Sequence, residues 1–266
     1  MIEIRGVSKV YGSTTVVDDV TTTIPAGGMT SVIGANGAGK STLLSMVARL
    51  LPMSAGSVTV EGLDVTTTPG DRIARRLAIL RQDNHLAVRL TVRELVTFGR
   101  YPHSKGRLTT TDADAIGRAI DYLHLGPLAN RYLDELSGGQ RQRAFVAMVL
   151  AQETDYVLLD EPLNNLDMVH SAGMMQILRR TCDELGKTVV MVLHDINFAS
   201  VYSDRIIAMR DGRIVAEGSP EEIITTEQMR LIYGLEIPVE LVGGNRIGMY
   251  YTCQSTRERI ESIGVS

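Results

Sequence analysis

The sequence has no tryptophan, three phenylalanines and two cysteines among its 266 residues. A core built from such a chain is aliphatic, filled by Val, Ile, Leu and Met. Cys182 and Cys253 stand far apart in sequence, so neither a disulfide framework nor a cysteine-paired metal site is expected. Both read as reduced structural cysteines of a cytosolic protein. A basic excess is missing too: the net charge is −4, which argues against a nucleic-acid-binding protein. The apolar stretches Ala144–Ala151 and Val189–Leu193 fall far short of the ~20 residues that a membrane-spanning helix needs. Met1-Ile2-Glu3-Ile4-Arg5 holds no basic segment leading into an apolar one, so no signal peptide is expected. No internal repeat or low-complexity tract stands out.

What is present alternates between strand and helix signals. Ile2–Val7 and Val16–Ile24 alternate like half-buried strands, Met29–Ile33 is a strand-like apolar run, and Gly56–Val60 reads as a further strand. A helix is expected over Lys40–Leu50, a short one over Ile73–Leu77, and a short strand over Ala78–Arg81. Between Gln82 and Leu136 the character changes, with helical segments at Thr91–Gly99, Asp112–Leu123 and near Pro127. Residues 82–136 therefore read as a helical subdomain inserted into a sheet domain. Beyond Ser137 come a helix to Ala151, a buried strand Tyr156–Asp160, a helix Met168–Leu185, a buried strand Thr188–Leu193 and a helix Asp195–Tyr202. Such alternation implies an α/β fold with a parallel sheet covered on both faces. Asp211-Gly212 is a hairpin turn between Arg205–Arg210 and Arg213–Glu217. Ser219-Pro220-Glu221-Glu222 opens a helix. A last hairpin joins Pro238–Val242 to Ile247–Thr252 through Gly243–Arg246. The main unit is expected over residues 2–252, and residues 253–266 as a loose polar tail.

Two glycine-rich segments carry chemistry. Gly34-Ala35-Asn36-Gly37-Ala38-Gly39-Lys40-Ser41-Thr42 matches G-x-x-x-x-G-K-[ST] at every fixed position, between a strand and a helix as that motif requires. Its glycines let backbone N–H groups turn inward around phosphate. Lys40 adds positive charge at the outer phosphates, and the Ser41 hydroxyl can ligate Mg²⁺. Tyr156–Asp160 is an apolar run ending in two carboxylates, Asp160 and Glu161. At the carboxyl end of a parallel strand Asp160 can hold Mg²⁺ through water, and Glu161 can act as general base toward an attacking water. His194, just past the next buried strand, can donate to a phosphate oxygen and help orient that water. Gln82 can reach Mg²⁺ or the same water. The second segment, Leu136-Ser137-Gly138-Gly139-Gln140, starts a helix that Ser137 can cap, and its N–H groups attract an anion. It lacks a lysine of its own and is expected to read a nucleotide bound to another copy of the chain.

With these residues in place, the chain resembles the ATP-binding-cassette (ABC) ATPases from Ile2 to about Thr252. Gly34–Thr42 is similar to the family's Walker A, Asp160 with Glu161 to its Walker B and catalytic glutamate, and Leu136–Gln140 to its signature. Gln82 resembles the Q-loop residue, His194 the switch histidine and Asn165-Leu166-Asp167 the D-loop, while Tyr11 resembles the aromatic that stacks on adenine. One departure is Leu163-Asn164-Asn165, where Thr-Ser-Ala is commoner; Asp167 stays in place. The resemblance implies a mostly parallel P-loop core with an N-terminal antiparallel β part, and a head-to-tail dimer holding two ATP molecules between Walker A of one copy and the signature of the other.

Looser strings narrow it. Phe98–His103, Ala144–Gln152, Leu193–Asn197 and Ile232–Leu235 are similar to segments in ATPases of ferric-siderophore, haem and vitamin B12 importers, most of all to Gram-positive catecholate or petrobactin-type siderophore members. That implies a peripheral subunit on the cytoplasmic face of the membrane. Integral permease subunits would dock at about Thr91–His103, and an extracellular siderophore-binding protein would be an indirect partner. The alternatives are a haem or cobalamin importer, and a soluble ABC ATPase acting on a ribosome or an iron–sulfur scaffold.

Overall fold

The computed structural model describes residues 1–82 and 88–252. The tail expected over residues 253–266 lies outside the described residues, as does Cys253; Cys182 is buried. The chain opens with strands β1 (Ile2–Tyr11) and β2 (Thr14–Ile24), then β3 (Gly28–Ile33), helix α1 (Lys40–Val47), β4 (Ala55–Val60), β5 (Leu63–Asp64), α2 (Gly70–Ala74) and β6 (Leu77–Leu80). Next come α3 (Val92–Phe98), α4 (Tyr101–Ser104), α5 (Thr110–Tyr122) and α6 (Gly138–Ala151). The remainder holds β7 (Tyr156–Asp160), α7 (Met168–Leu185), β8 (Thr188–Val192), α8 (Ile196–Tyr202), β9 (Arg205–Arg210) and β10 (Arg213–Gly218). It closes with α9 (Pro220–Ile223), α10 (Thr226–Tyr233), β11 (Val239–Val242) and β12 (Asn245–Gly248).

The main sheet has the order β10-β9-β3-β8-β7-β6. Its β9-β3-β8-β7-β6 part is parallel, and β10 pairs antiparallel with β9. A second, antiparallel sheet runs β2-β1-β4-β5. Strands β7 and β8, inside the main sheet, are buried on both faces, which is why they read as continuous apolar runs. Side chains alternate between two cores. Tyr156, Leu158, Val190 and Val192 face α1 and the antiparallel sheet. Val157, Leu159, Val189 and Met191 face the other core, shared with α6, α7 and the helices of the insert.

In that insert, Val92, Leu95 and Val96 of α3 pack with Ile116 and Ile120 of α5 on Ala144 and Phe145 of α6. Gly99 follows α3 where a Cβ would stand 2.0 Å from the Met148 carbonyl oxygen, so α3 and α6 approach too closely for any side chain. Arg100 next to it is buried. Its Nε donates to Asp112 Oδ1 at 2.9 Å and its Nη1 to the Ala151 carbonyl at 2.7 Å. Among the described residues no helix is long and apolar enough to cross a membrane.

Candidate active site

The chain leaves β3 through Gly34, whose φ is +144° and whose added Cβ would lie 2.1 Å from the Met209 carbonyl on β9. Only glycine fits between loop and sheet there. At the other end Gly39, with φ +94°, is the N-cap of α1 and leaves its first turn without a side-chain cap. The first N–H groups of α1 are thus available to an anion. They border a cleft of about 730 Å³ lined by Val16, Asn36, Gly37, Ala38, Gly39, Lys40, Ser41, Thr42, Gln82, Glu161, Asn164 and His194.

Lys40 is buried, and its Nζ donates to the carbonyls of Gly34 and Ala35, each at 2.9 Å. Burial pushes its ammonium pKa down, while the carboxylates of Glu161 and Asp160 work the other way. Asp160, the last residue of β7, is buried and accepts from Ser41 Oγ at 2.7 Å. Burial is the main influence and pushes its carboxyl pKa up; the Ser41 hydrogen bond opposes it, Glu161 adds to it, and Lys40 opposes it. Ser41 and Asp160 form a pair of hard oxygens in which a buried carboxylate lacks full compensation, a donor set that suits a hard divalent cation.

Glu161 sits in the left-handed region, with φ +51°, at the turn that follows β7. A non-glycine residue held there stores strain, as functional positions often do. Its carboxylate has 9% of its side-chain surface exposed and is held on both oxygens. His194 Nε2 is 2.6 Å from Oε1. Gln82 Nε2 donates to Oε2 at 2.7 Å, and Asn164 Nδ2 donates to the same oxygen at 2.9 Å. These groups come from the carboxyl ends of β6, β7 and β8, which lie side by side in the parallel sheet next to β3 and its loop.

Tyr11, at the end of β1, is half exposed, with Lys9 Nζ 5.0 Å from its ring centroid. It lies outside the cleft and lines an adjoining cavity of about 420 Å³ with Ser41, Thr42, Gln82 and Asp160. Ser137, Gly138, Gly139 and Gln140 line neither space. Ser137 Oγ accepts from the Gln140 N–H, and Gln140 Oε1 accepts from the Ser137 N–H, closing a capping box at the start of α6. Asp167 also stands apart from the cleft, where its Oδ1 caps α7 by accepting from the His170 N–H at 2.8 Å. The site residues expected from sequence thus fall into two groups. One surrounds the phosphate loop and the other sits at the starts of α6 and α7.

Two contacting residues were not legible beforehand as site residues. Asn164 lies inside the string that departs from Thr-Ser-Ala, and that departure was the available signal. Val16 lines the cleft from β2, and no local pattern marks it.

The ABC transporter family model matches residues 17–164. The petrobactin import ATP-binding protein YclP of Bacillus subtilis is 51% identical over 252 residues, covering 95% of this chain and 100% of its own length. The petrobactin import ATP-binding protein FatE of Bacillus anthracis is 53% identical over 92% of this chain and 97% of its own. Among solved structures, the dimeric post-hydrolysis state of the ATP-binding cassette MJ0796, bound to ADP and Pi, superposes with a TM-score of 0.74. It is 28% identical and covers 83% of this chain and 99% of that one.

Proposed function

The chain belongs to the ABC transporter family as an ATP-hydrolysing cassette, and from that premise we propose that it energises the import of a ferric siderophore of the petrobactin kind. The likeness to a petrobactin import ATP-binding protein over 95% of the chain carries this reading. The chain would work as a peripheral subunit on the cytoplasmic face of the membrane, paired head to tail with a second copy.

In this reading the phosphate loop Gly34–Thr42 takes the triphosphate, and Lys40 Nζ is already aimed at the base of the loop. Ser41, Asp160 and Gln82 would hold Mg²⁺. When bound, the ion neutralises charge on the phosphate oxygens. Glu161 is the general base. It takes a proton from water as the water oxygen bonds to the γ-phosphorus and the bond to the β–γ bridging oxygen breaks, releasing ADP and phosphate. Oε1, with His194 as its one contact, is the oxygen with acceptor room for the water, and a shift of the His194, Gln82 or Asn164 contacts would accompany its approach. His194 and Gln82 are the side chains that respond to the γ-phosphate, and Gln82 opens the segment leading into the helical insert. Ser137–Gln140 reads the ATP held by the second copy, a role supported by its lying outside the lining of the chain's own cleft. Tyr11 is the adenine platform.

The permease subunits dock on the insert around Thr91–His103. Phe98 and Tyr101 are 54% and 64% exposed there, three residues apart, and offer apolar surface to a partner. Closing and reopening of the ATP-bound pair is the motion delivered to the membrane subunits. Deleting the gene and scoring growth on ferric siderophores, haem and cobalamin as sole sources tests the substrate class. Failure on a siderophore alone supports it, and failure on haem or cobalamin alone replaces it.

A further inference from the structure

The start of α6 and the turn after Glu161 are fastened together inside one chain. Gly139, the second residue of α6, is buried, and a Cβ on it would lie 2.2 Å from His170 Cδ2 and 2.6 Å from His170 Cγ. The imidazole therefore packs directly against the signature backbone at Gly139. Its orientation is set by Asp167, whose Oδ1 is 2.7 Å from His170 Nδ1. That bond is not needed to cap α7, because the same Oδ1 already accepts the His170 backbone N–H at 2.8 Å. What the ring bond adds is direction: it holds the imidazole on Gly139. A second tie runs alongside, from Gln142 Nε2 to the Pro162 carbonyl at 2.9 Å. Between the two ties lies the turn that carries Asn164, which itself holds Glu161.

We infer that His170 is a positioning residue that locks the signature helix to the water-activating turn of its own chain, and thereby couples the two nucleotide sites of an ATP-bound pair. The inference rests on the head-to-tail reading above. In such a pair each copy offers Glu161 to one ATP and Ser137–Gln140 to the other. A turn that shifts as water approaches Glu161 pulls on Gly139 through Asp167 and His170. The state of one site is thus written into the signature that grips the second. Neither His170 nor Gln142 touches the cleft, so their effect travels through position alone.

The test compares His170→Ala and Gln142→Ala with the wild type in ATPase rate against Mg-ATP concentration, alongside binding of a fluorescent ATP analogue to dilute monomer. Analogue affinity and apo melting temperature should stay at the wild-type values. Turnover of His170→Ala should fall about 10- to 100-fold, the scale of a misplaced reacting group. Its Hill coefficient should drop toward ~1 from a wild-type value bounded by the two sites of the pair. Gln142→Ala should move both in the same direction by less. A cooperative wild type matched in Hill coefficient by both variants overturns the inference and leaves the paired reading standing. A wild type without cooperativity overturns the paired reading, and the inference with it.

Discussion

His194 Nε2 lies 2.6 Å from Glu161 Oε1, on a carboxylate whose other oxygen already accepts amide N–H groups from Gln82 and Asn164. The carboxylate is thus held on both oxygens by side chains of its own chain. Those three side chains stand beyond the carboxyl ends of β6, β7 and β8, and under the proposed function Glu161 is the general base. Glu161→Gln keeps the shape and removes the basic oxygen. Turnover should fall by about 10²- to 10⁴-fold, the usual worth of a positioned general base. ATP binding should persist, and an ATP-bound pair should accumulate. Single-turnover hydrolysis and size-exclusion chromatography with Mg-ATP measure both; near-normal turnover would assign the water to another group.

Lys40→Ala should abolish nucleotide binding, because the buried ammonium is the cation at the base of the phosphate loop. Ligand at about 100 times its dissociation constant stabilises a single-site protein by about 2.7 kcal/mol. A thermal-shift titration should show that gain in the wild type and none in the variant. Equal shifts in both would remove Lys40 from the site.

The Arg100–Asp112 pair gives an acid-sensitive joint in the helical insert, with both side chains 4% exposed. The Thr109 N–H, the Thr109 hydroxyl and then Arg100 hold the Asp112 carboxyl down at about 2, against an ordinary value of 3.8. A depressed carboxylate pKa stabilises the fold above the ordinary value, and the contribution is lost as pH falls through the folded one. The wild type should therefore lose stability between pH 3.8 and about 2, and Asp112→Asn should lose less over that window while starting lower. Circular dichroism melts across that range decide it; parallel pH profiles would show that the pair carries no acid dependence.

Gly99→Ala should lower the melting temperature sharply, since the new methyl would stand 2.0 Å from the Met148 carbonyl. Tyr101→Ala, an exposed change two residues on, should leave melting and isolated ATPase activity alone while reducing transport. If Tyr101→Ala lowers isolated ATPase activity as well, the segment serves the nucleotide site or the core rather than a membrane partner.

Legibility in the sequence followed the range of the forces involved. The bounds of α7 could be read because Asp167 caps one end and Gly186, with φ +62°, closes the other. Strands β7 and β8 were legible because burial on both faces leaves unbroken apolar runs. The last hairpin differs from the expected one: its second strand starts two residues earlier and ends four residues earlier. Gly243-Gly244, both at positive φ, make a two-residue loop, so Asn245 already pairs with Val242 and β12 ends at Gly248. Helices α4 and α10 were not expected: four and eight residues long, they offer little periodicity to read. In the site, Lys40, Asp160 and Glu161 stood out because local motifs hold them. Asn164 reaches Glu161 within one turn, but only the backbone of that turn brings them together; His170 meets the Gly139 backbone from a different segment, and no single stretch of sequence displays that contact.

The most direct test of an ATP-driven ferric-siderophore importer is uptake of radiolabelled iron, supplied as ferric petrobactin, in cells stripped of related ATPases. The account predicts that wild-type protein restores uptake, while Lys40→Ala and Glu161→Gln do not. Uptake of haem and labelled cobalamin should be indifferent to all three. Restored haem or cobalamin uptake with no change in ferric petrobactin uptake would contradict it.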